Sequence, residues 1–124
     1  MLQPFYKKFL TVACVLACAV STASYGAGAI AIDDDEGTHP DDVGYGIGFA
    51  NSREAAGAEA MKVCRKNGNK NCAVKVRFDG CGAYAASKRF YGVGWGKTIK
   101  EAERKAVEAC ARSSCEVVVS ECDD

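Results

Sequence analysis

Two stretches of this chain alternate large apolar residues with glycine, one for one. In Val43–Ala50, Tyr45, Ile47 and Phe49 alternate with Gly46 and Gly48; in Phe90–Gly96, Tyr91, Val93 and Trp95 alternate with Gly92 and Gly94. A period of two predicts a strand whose successive side chains point to opposite faces. One face of each strand then carries aromatic and β-branched groups, and the other is nearly bare backbone. The period changes to that of a helix directly afterwards. Ala56, Ala60, Val63 and Cys64 form one apolar stripe, and Ile99, Ala102, Ala106, Ala109 and Cys110 form a second. Ser52 and Thr98 stand where N-caps belong, with Glu54 in the first turn of one helix. Thr98 to Glu101 reads as a capping box in which Glu101 reaches back to the Thr98 N–H. The helices are expected to end near Lys66-Asn67-Gly68 and Arg112-Ser113-Ser114. Both stripes are made of small residues, and a glycine strand face is a place where another backbone can come close. Further strands are expected at Gly28–Asp33, Gly82–Ser87, Cys72–Phe78 and Cys115–Cys122.

The two stretches are one unit written twice. Tyr45–Cys64 and Tyr91–Cys110 align without a gap, and Tyr45/Tyr91, Gly46/Gly92, Gly48/Gly94, Ala56/Ala102, Ala60/Ala106 and Cys64/Cys110 are identical pairs. The expected class is α+β, an internally duplicated strand-strand-helix-strand unit. The first repeat covers about 27–79 and the second about 80–122. Each half is marginal for a core of its own, so the two share one domain over residues 24–124. The expected arrangement is one mixed sheet of about six strands with two helices on one face, and strand-helix-strand crossovers that are right-handed if the strands they join are parallel.

The amino terminus reads as an export signal over residues 1–23. Lys7 and Lys8 precede an apolar run, Phe9–Val20, and the small residues Ser21-Thr22-Ala23. The run is too short to span a bilayer. A competing reading takes Val15-Leu16-Ala17 before Cys18 as a lipoprotein signal, with the protein anchored through Cys18. Without Lys7 and Lys8, 14 of the 16 basic residues remain against 16 acidic ones. That balance gives no electrostatic case for nucleic acid. No second apolar stretch could cross a membrane, and the expected location is periplasmic or extracellular.

Eight cysteines bear on the same question. Cys14 and Cys18 fall in the signal, leaving six for an oxidising compartment: Cys64, Cys72, Cys81, Cys110, Cys115 and Cys122. Six cysteines allow about 15 pairings. Symmetry of the repeats favours local bridges Cys64–Cys72 and Cys110–Cys115, each joining a helix end to the next strand. Cys81 and Cys122 have no mates in the first repeat, where Ala27 and Asp79 stand, and are left for each other. The spacings are not those of paired zinc knuckles, and no Cys-x-x-Cys pair is present.

Glycine-aliphatic-glycine-aromatic strands, alanine helices ending in cysteine and a Gly-Cys-Gly-Ala junction occur here together. The residues are Gly28-Ala29-Ile30-Ala31, Tyr45-Gly46-Ile47-Gly48-Phe49, Glu59-Ala60 to Cys64, Gly80-Cys81-Gly82-Ala83, Tyr91-Gly92-Val93-Gly94-Trp95, Glu101-Ala102-Glu103 and Cys110. In these the chain resembles the bacterial family called domain of unknown function 4189, from about residue 27 to 122. The loop at residues 33–42 departs from the tight turn the family pattern implies. The resemblance implies a small exported domain, and it carries over no catalytic residues.

Candidate chemistry is sparse. His39 is the only histidine and sits in the polar loop, with no nucleophile assigned beside it. Asp33, Asp34, Asp35, Glu36, Asp41 and Asp42 concentrate negative charge in that loop, without the spacing of an EF-hand. Lys62, Arg65, Lys66, Lys70, Lys75 and Arg77 form a basic run, which makes the surface dipolar. No catalytic set, metal or cofactor is expected. The candidate binding residues are Asp34, Asp35, Glu36 and Asp41, together with the aromatics Tyr45, Phe49, Tyr91 and Trp95. These aromatics would form either a binding platform or part of the core. The function expected from these features is a non-enzymatic module that binds another protein, of inhibitor or immunity type, in the bacterial envelope. The alternatives are a small carboxylate-dependent hydrolase acting on cell-wall or carbohydrate material and a cell-surface structural protein.

Overall fold

Both faces of the first strand are apolar, and that decides the architecture. In the computed structural model, residues 26–35, 37 and 41–123 are described. The expected signal segment with Cys14 and Cys18, and the loop residues Glu36 and His39, lie outside the described residues. The elements run β1 (Ala27–Asp33), β2 (Gly44–Ala50), α1 (Arg53–Lys66), β3 (Ala73–Phe78), β4 (Cys81–Ala86), β5 (Tyr91–Gly96), α2 (Ile99–Cys110) and β6 (Glu116–Cys122). The expected single mixed sheet is not formed. The strands make two three-stranded sheets ordered β2-β1-β3 and β5-β4-β6, and every pairing in them is antiparallel. The two strands joined by each helix flank a central strand, so they run parallel without ever pairing. The two sheets share their register irregularities as well, at Ile30/Ala31 in β1 and at Tyr84/Ala85 in β4.

The helices do not share a face. Ala27, Ala29 and Ala31 of β1 pack with Ala56, Ala60 and Cys64 of α1. Ile30 and Ile32, pointing the other way, pack with Val76, Phe78, Tyr84, Ala86 and Val119. Cys81, Ala83 and Ala85 of β4 meet Ala102, Ala106 and Cys110 of α2. The sheets therefore stack face to face with one helix on each outer side, in four layers. A single sheet with both helices on one face would leave the isoleucine face of β1 in water. Burying each such side chain contributes roughly 1.5–3 kcal/mol, which is enough to drive the second layer of contact.

Between the sheets one ring fills the space beside two glycines. An added Cβ would fall 2.4 Å from the Phe78 ring at Gly28 and 2.1 Å from it at Gly82. One phenylalanine thus occupies the space above the glycines of both central strands. The outer glycine faces are filled by backbone. A Cβ on Gly46 would lie 2.1 Å from the Cys64 nitrogen, and one on Gly92 would lie 2.2 Å from the Cys110 nitrogen. The helices rest directly on the bare faces of β2 and β5.

Ser52 Oγ accepts the Ala55 N–H at 3.1 Å, and Thr98 Oγ1 accepts the Glu101 N–H at 3.1 Å. The reciprocal half of the expected capping box differs. Glu101 accepts the Lys97 N–H at 3.2 Å and pairs with Lys105 one turn on. The helix stripes also differ at their edges, since Ile99 and Ala109 are exposed. Among the described residues three disulfides hold the chain: Cys64–Cys72, Cys81–Cys122 and Cys110–Cys115. Among the described residues no helix is long and apolar enough to cross a membrane.

The helix ends are not equivalent. After α1 the left-handed position is taken by Gly68 (φ 95°), whereas after α2 it is taken by Ala111 (φ 60°). A Cβ in that conformation costs about 1–2 kcal/mol, partly offset by the lower entropy of alanine in the unfolded chain. Ala111→Gly is expected to stabilise the protein by about 0.5–1 kcal/mol, read by urea denaturation. A loss of stability would show that the turn is not strained.

Candidate functional site

Where a strand ends and a helix ends on the same side, loop backbone and charged side chains gather. In the first repeat the β1–β2 loop and the α1–β3 loop meet in a cleft of about 270 Å³, lined by Asp33, Asp35, Asp42 and the segment Gly68–Asn71. Asp33 organises it. Its Oδ2 accepts the N–H groups of Lys70 and Asn71, both at 3.1 Å, and its Oδ1 accepts the N–H of Asp35 at 3.1 Å. These donors, that of Asn71 first, hold the Asp33 carboxyl below the usual carboxylate range against the opposing effect of burial. Asp35 Oδ2 accepts from Asn71 Nδ2 at 3.0 Å. The Cys64–Cys72 bridge closes the α1–β3 loop on the far side. The wall thus carries a clamped Asp33, with Asp35 tied to Asn71 beside it, on a stapled frame. Among the described residues no three His, Cys, Asp or Glu side chains are placed to hold a metal ion.

The residues singled out from sequence divide three ways. Asp35 lines the cleft, joined by Asp33 and Asp42. Asp41 is exposed on the loop. Asp34 turns away, with its carboxylate 3.9 Å from Lys75 Nζ. The aromatics do not form one platform. Tyr45, Tyr91 and Trp95 are 39%, 44% and 54% exposed, while Phe49 packs against the inter-sheet core. β2 and β5 are edge strands of different sheets, and β5 lies against β3 while β2 lies beyond β1. Tyr45 and Trp95 therefore belong to separate edges.

One residue escaped the sequence reading. Tyr84, the counterpart of Ile30, is wholly buried between the sheets, and its hydroxyl has no hydrogen-bond partner among the described residues. Its ring stacks on Tyr91 with centroids 5.5 Å apart, and Lys75 Nζ sits 4.8 Å from the Tyr91 centroid. Burial first, then Asp34 and Tyr91, push its titration upward, so the phenol stays neutral. A buried unsatisfied hydroxyl costs about 1–3 kcal/mol. Tyr84→Phe is expected to raise stability by about 1 kcal/mol, seen as a melting temperature higher by about 4–8 °C. A lower melting temperature would mean that the hydroxyl is satisfied in solution.

The model of a protein family described as Domain of unknown function (DUF4189) matches residues 17–122. No curated protein and no solved structure matches the chain.

Proposed function

We propose, for a chain that belongs to the DUF4189 family of domains of unknown function, that it is an exported, non-enzymatic module that binds another protein through the acidic cleft of its first repeat. The observation that carries this reading is the clamped Asp33, set beside Asp35 and Asp42 in an open cleft. The Asp33 carboxylate, held ionised by backbone N–H groups, suits a fixed anionic receptor for a lysine or arginine side chain of a partner. Asp33 does not suit a proton donor, because a general acid needs a raised rather than a lowered titration point. The disulfides support the same reading, since a stapled frame loses little freedom on binding and suits an inhibitor or immunity-type factor in an oxidising envelope compartment.

The test is affinity capture from bacterial envelope and culture-supernatant proteins, with oxidised residues 24–124 as bait. A stoichiometric partner retained by the native protein and lost with Asp35→Asn/Asp42→Asn, both at exposed positions, is the expected result. Equal retention by the variant would remove the cleft from the interaction.

A further inference from the structure

The same corner of the second repeat carries a cleft of opposite charge. The β4–β5 turn and the α2–β6 loop enclose about 160 Å³, lined by Ser87, Lys88, Arg89, Phe90, Arg112 and Ser114. These loops are the counterparts of the two that build the acidic cleft. Ser87 follows β4 where Asp33 ends β1, so the residue that anchors the acidic cleft is replaced by a hydroxyl. No carboxylate lines this second cleft, and among the described residues Lys88, Arg89 and Arg112 form no ion pair. Three unopposed cations within one small cleft repel one another, and a bound anion relieves that repulsion.

Arg112 is held ready for such an anion. Its guanidinium carbon lies 3.8 Å from the Phe90 ring centroid, and its Nη1 donates to the Ala111 carbonyl at 2.9 Å. The cation–π contact and this one hydrogen bond hold the guanidinium beside Phe90 and leave further N–H donors for a ligand. The turn beneath is closed by the Ser87 N–H donating to the Phe90 carbonyl at 2.8 Å. The left-handed Ala111 immediately precedes Arg112, whose guanidinium lies over Phe90 of the turn. Phe90, 42% exposed, adds an apolar wall beside the charges.

We propose that this cleft is a binding site for an oxyanion of the phosphate or sulfate class. Arg112 supplies a planar fork, Lys88 and Arg89 supply further charge, and the exposed Ser114 stands where a hydroxyl can donate to a tetrahedral group. Cations near the carboxyl end of α2 also favour the helix dipole. That effect needs no ligand and predicts no saturable binding, so the two accounts separate.

The experiment is a titration of the ¹⁵N-labelled oxidised protein with inorganic phosphate and, separately, with sodium chloride at matched ionic strength. The expected result is saturable amide shifts confined to residues 87–90 and 111–115 with phosphate, absent with chloride. Affinity should fall at least tenfold in Lys88→Gln/Arg89→Gln and in Arg112→Ala. The first variant changes exposed turn residues, and amides outside the cleft report that its fold is kept. Co-sedimentation with phosphatidylglycerol vesicles, against phosphatidylcholine vesicles, separates the sources of the group. Retention on the anionic vesicles that is lost in the variants assigns the oxyanion to a lipid. Phosphate binding without retention assigns it to a soluble ester. Shifts equal in phosphate and chloride, or unchanged in both variants, would overturn the proposal, and neither result bears on the acidic cleft.

Discussion

Alanine at Gly46, Gly48, Gly92 or Gly94 is expected to cost about 3 kcal/mol or more. The added Cβ would lie 2.1–2.3 Å from a main-chain nitrogen or oxygen of the covering helix at each of the four, and backbone cannot rotate away as a side chain can. Each helix would have to lift off its strand, taking with it the packing of Ala56 and Ala60, or of Ala102 and Ala106. Such a loss is a large part of the roughly 5–15 kcal/mol that holds a domain. Urea denaturation of Gly92→Ala against Ser113→Ala, an exposed loop position, makes the comparison. The loop variant is expected within about 0.5 kcal/mol of the native protein. A Gly92→Ala protein of native stability would show that the helix does not rest on the strand.

The second large effect concerns Cys81–Cys122. These two residues are directly opposed at the ends of β4 and β6, and their bridge spans 41 positions of sequence, against 8 and 5 for the other two. By the loop-entropy relation, losing it costs about 4 kcal/mol, while losing Cys110–Cys115 costs about 2 kcal/mol. The bridge stands where the first repeat has Ala27 and Asp79. There Asp79, just past the end of β3, forms an exposed ion pair instead, Arg53 Nη2 to Asp79 Oδ2 at 2.7 Å, and such pairs contribute about 0–1 kcal/mol. The second repeat therefore depends more on its cysteines than the first does on its ion pair. Cys81→Ala/Cys122→Ala is expected to lower the urea midpoint clearly further than Cys110→Ala/Cys115→Ala. Equal losses would mean that closing the long loop adds nothing here.

What could be read from sequence was whatever is local. Periods of two and of three to four placed the strands and helices, and the bare faces at Gly46/Gly48 and Gly92/Gly94 indicated where the helices would lie. The layer structure was missed because pairing is a long-range property. Its sign was nonetheless present in AGAIAID, where alanine at one parity and isoleucine at the other make two apolar faces of different depth. Two apolar faces need two covers, a thin-backed helix for the alanines and another sheet for the isoleucines. The acidic loop was visible as charge, but which carboxylates point together was not. Asp33, Asp35 and Asp42 converge because the backbone N–H groups of Lys70 and Asn71, more than 30 positions away in sequence, bind Asp33. Asp34, one residue along the chain, falls on the opposite side and meets Lys75. The basic cleft was hidden for the same reason, since Lys88-Arg89 and Arg112 are brought together only when the β4–β5 turn meets the end of α2.

The most direct test of the central claim is a titration of the ¹⁵N-labelled oxidised protein with a lysine-rich peptide. Saturable amide shifts are expected at residues 33–35, 42–44 and 68–71, abolished by Asp35→Asn/Asp42→Asn, with the Ser87–Phe90 turn silent. Shifts centred on Tyr91 and Trp95, or shifts that survive the double substitution, would contradict it.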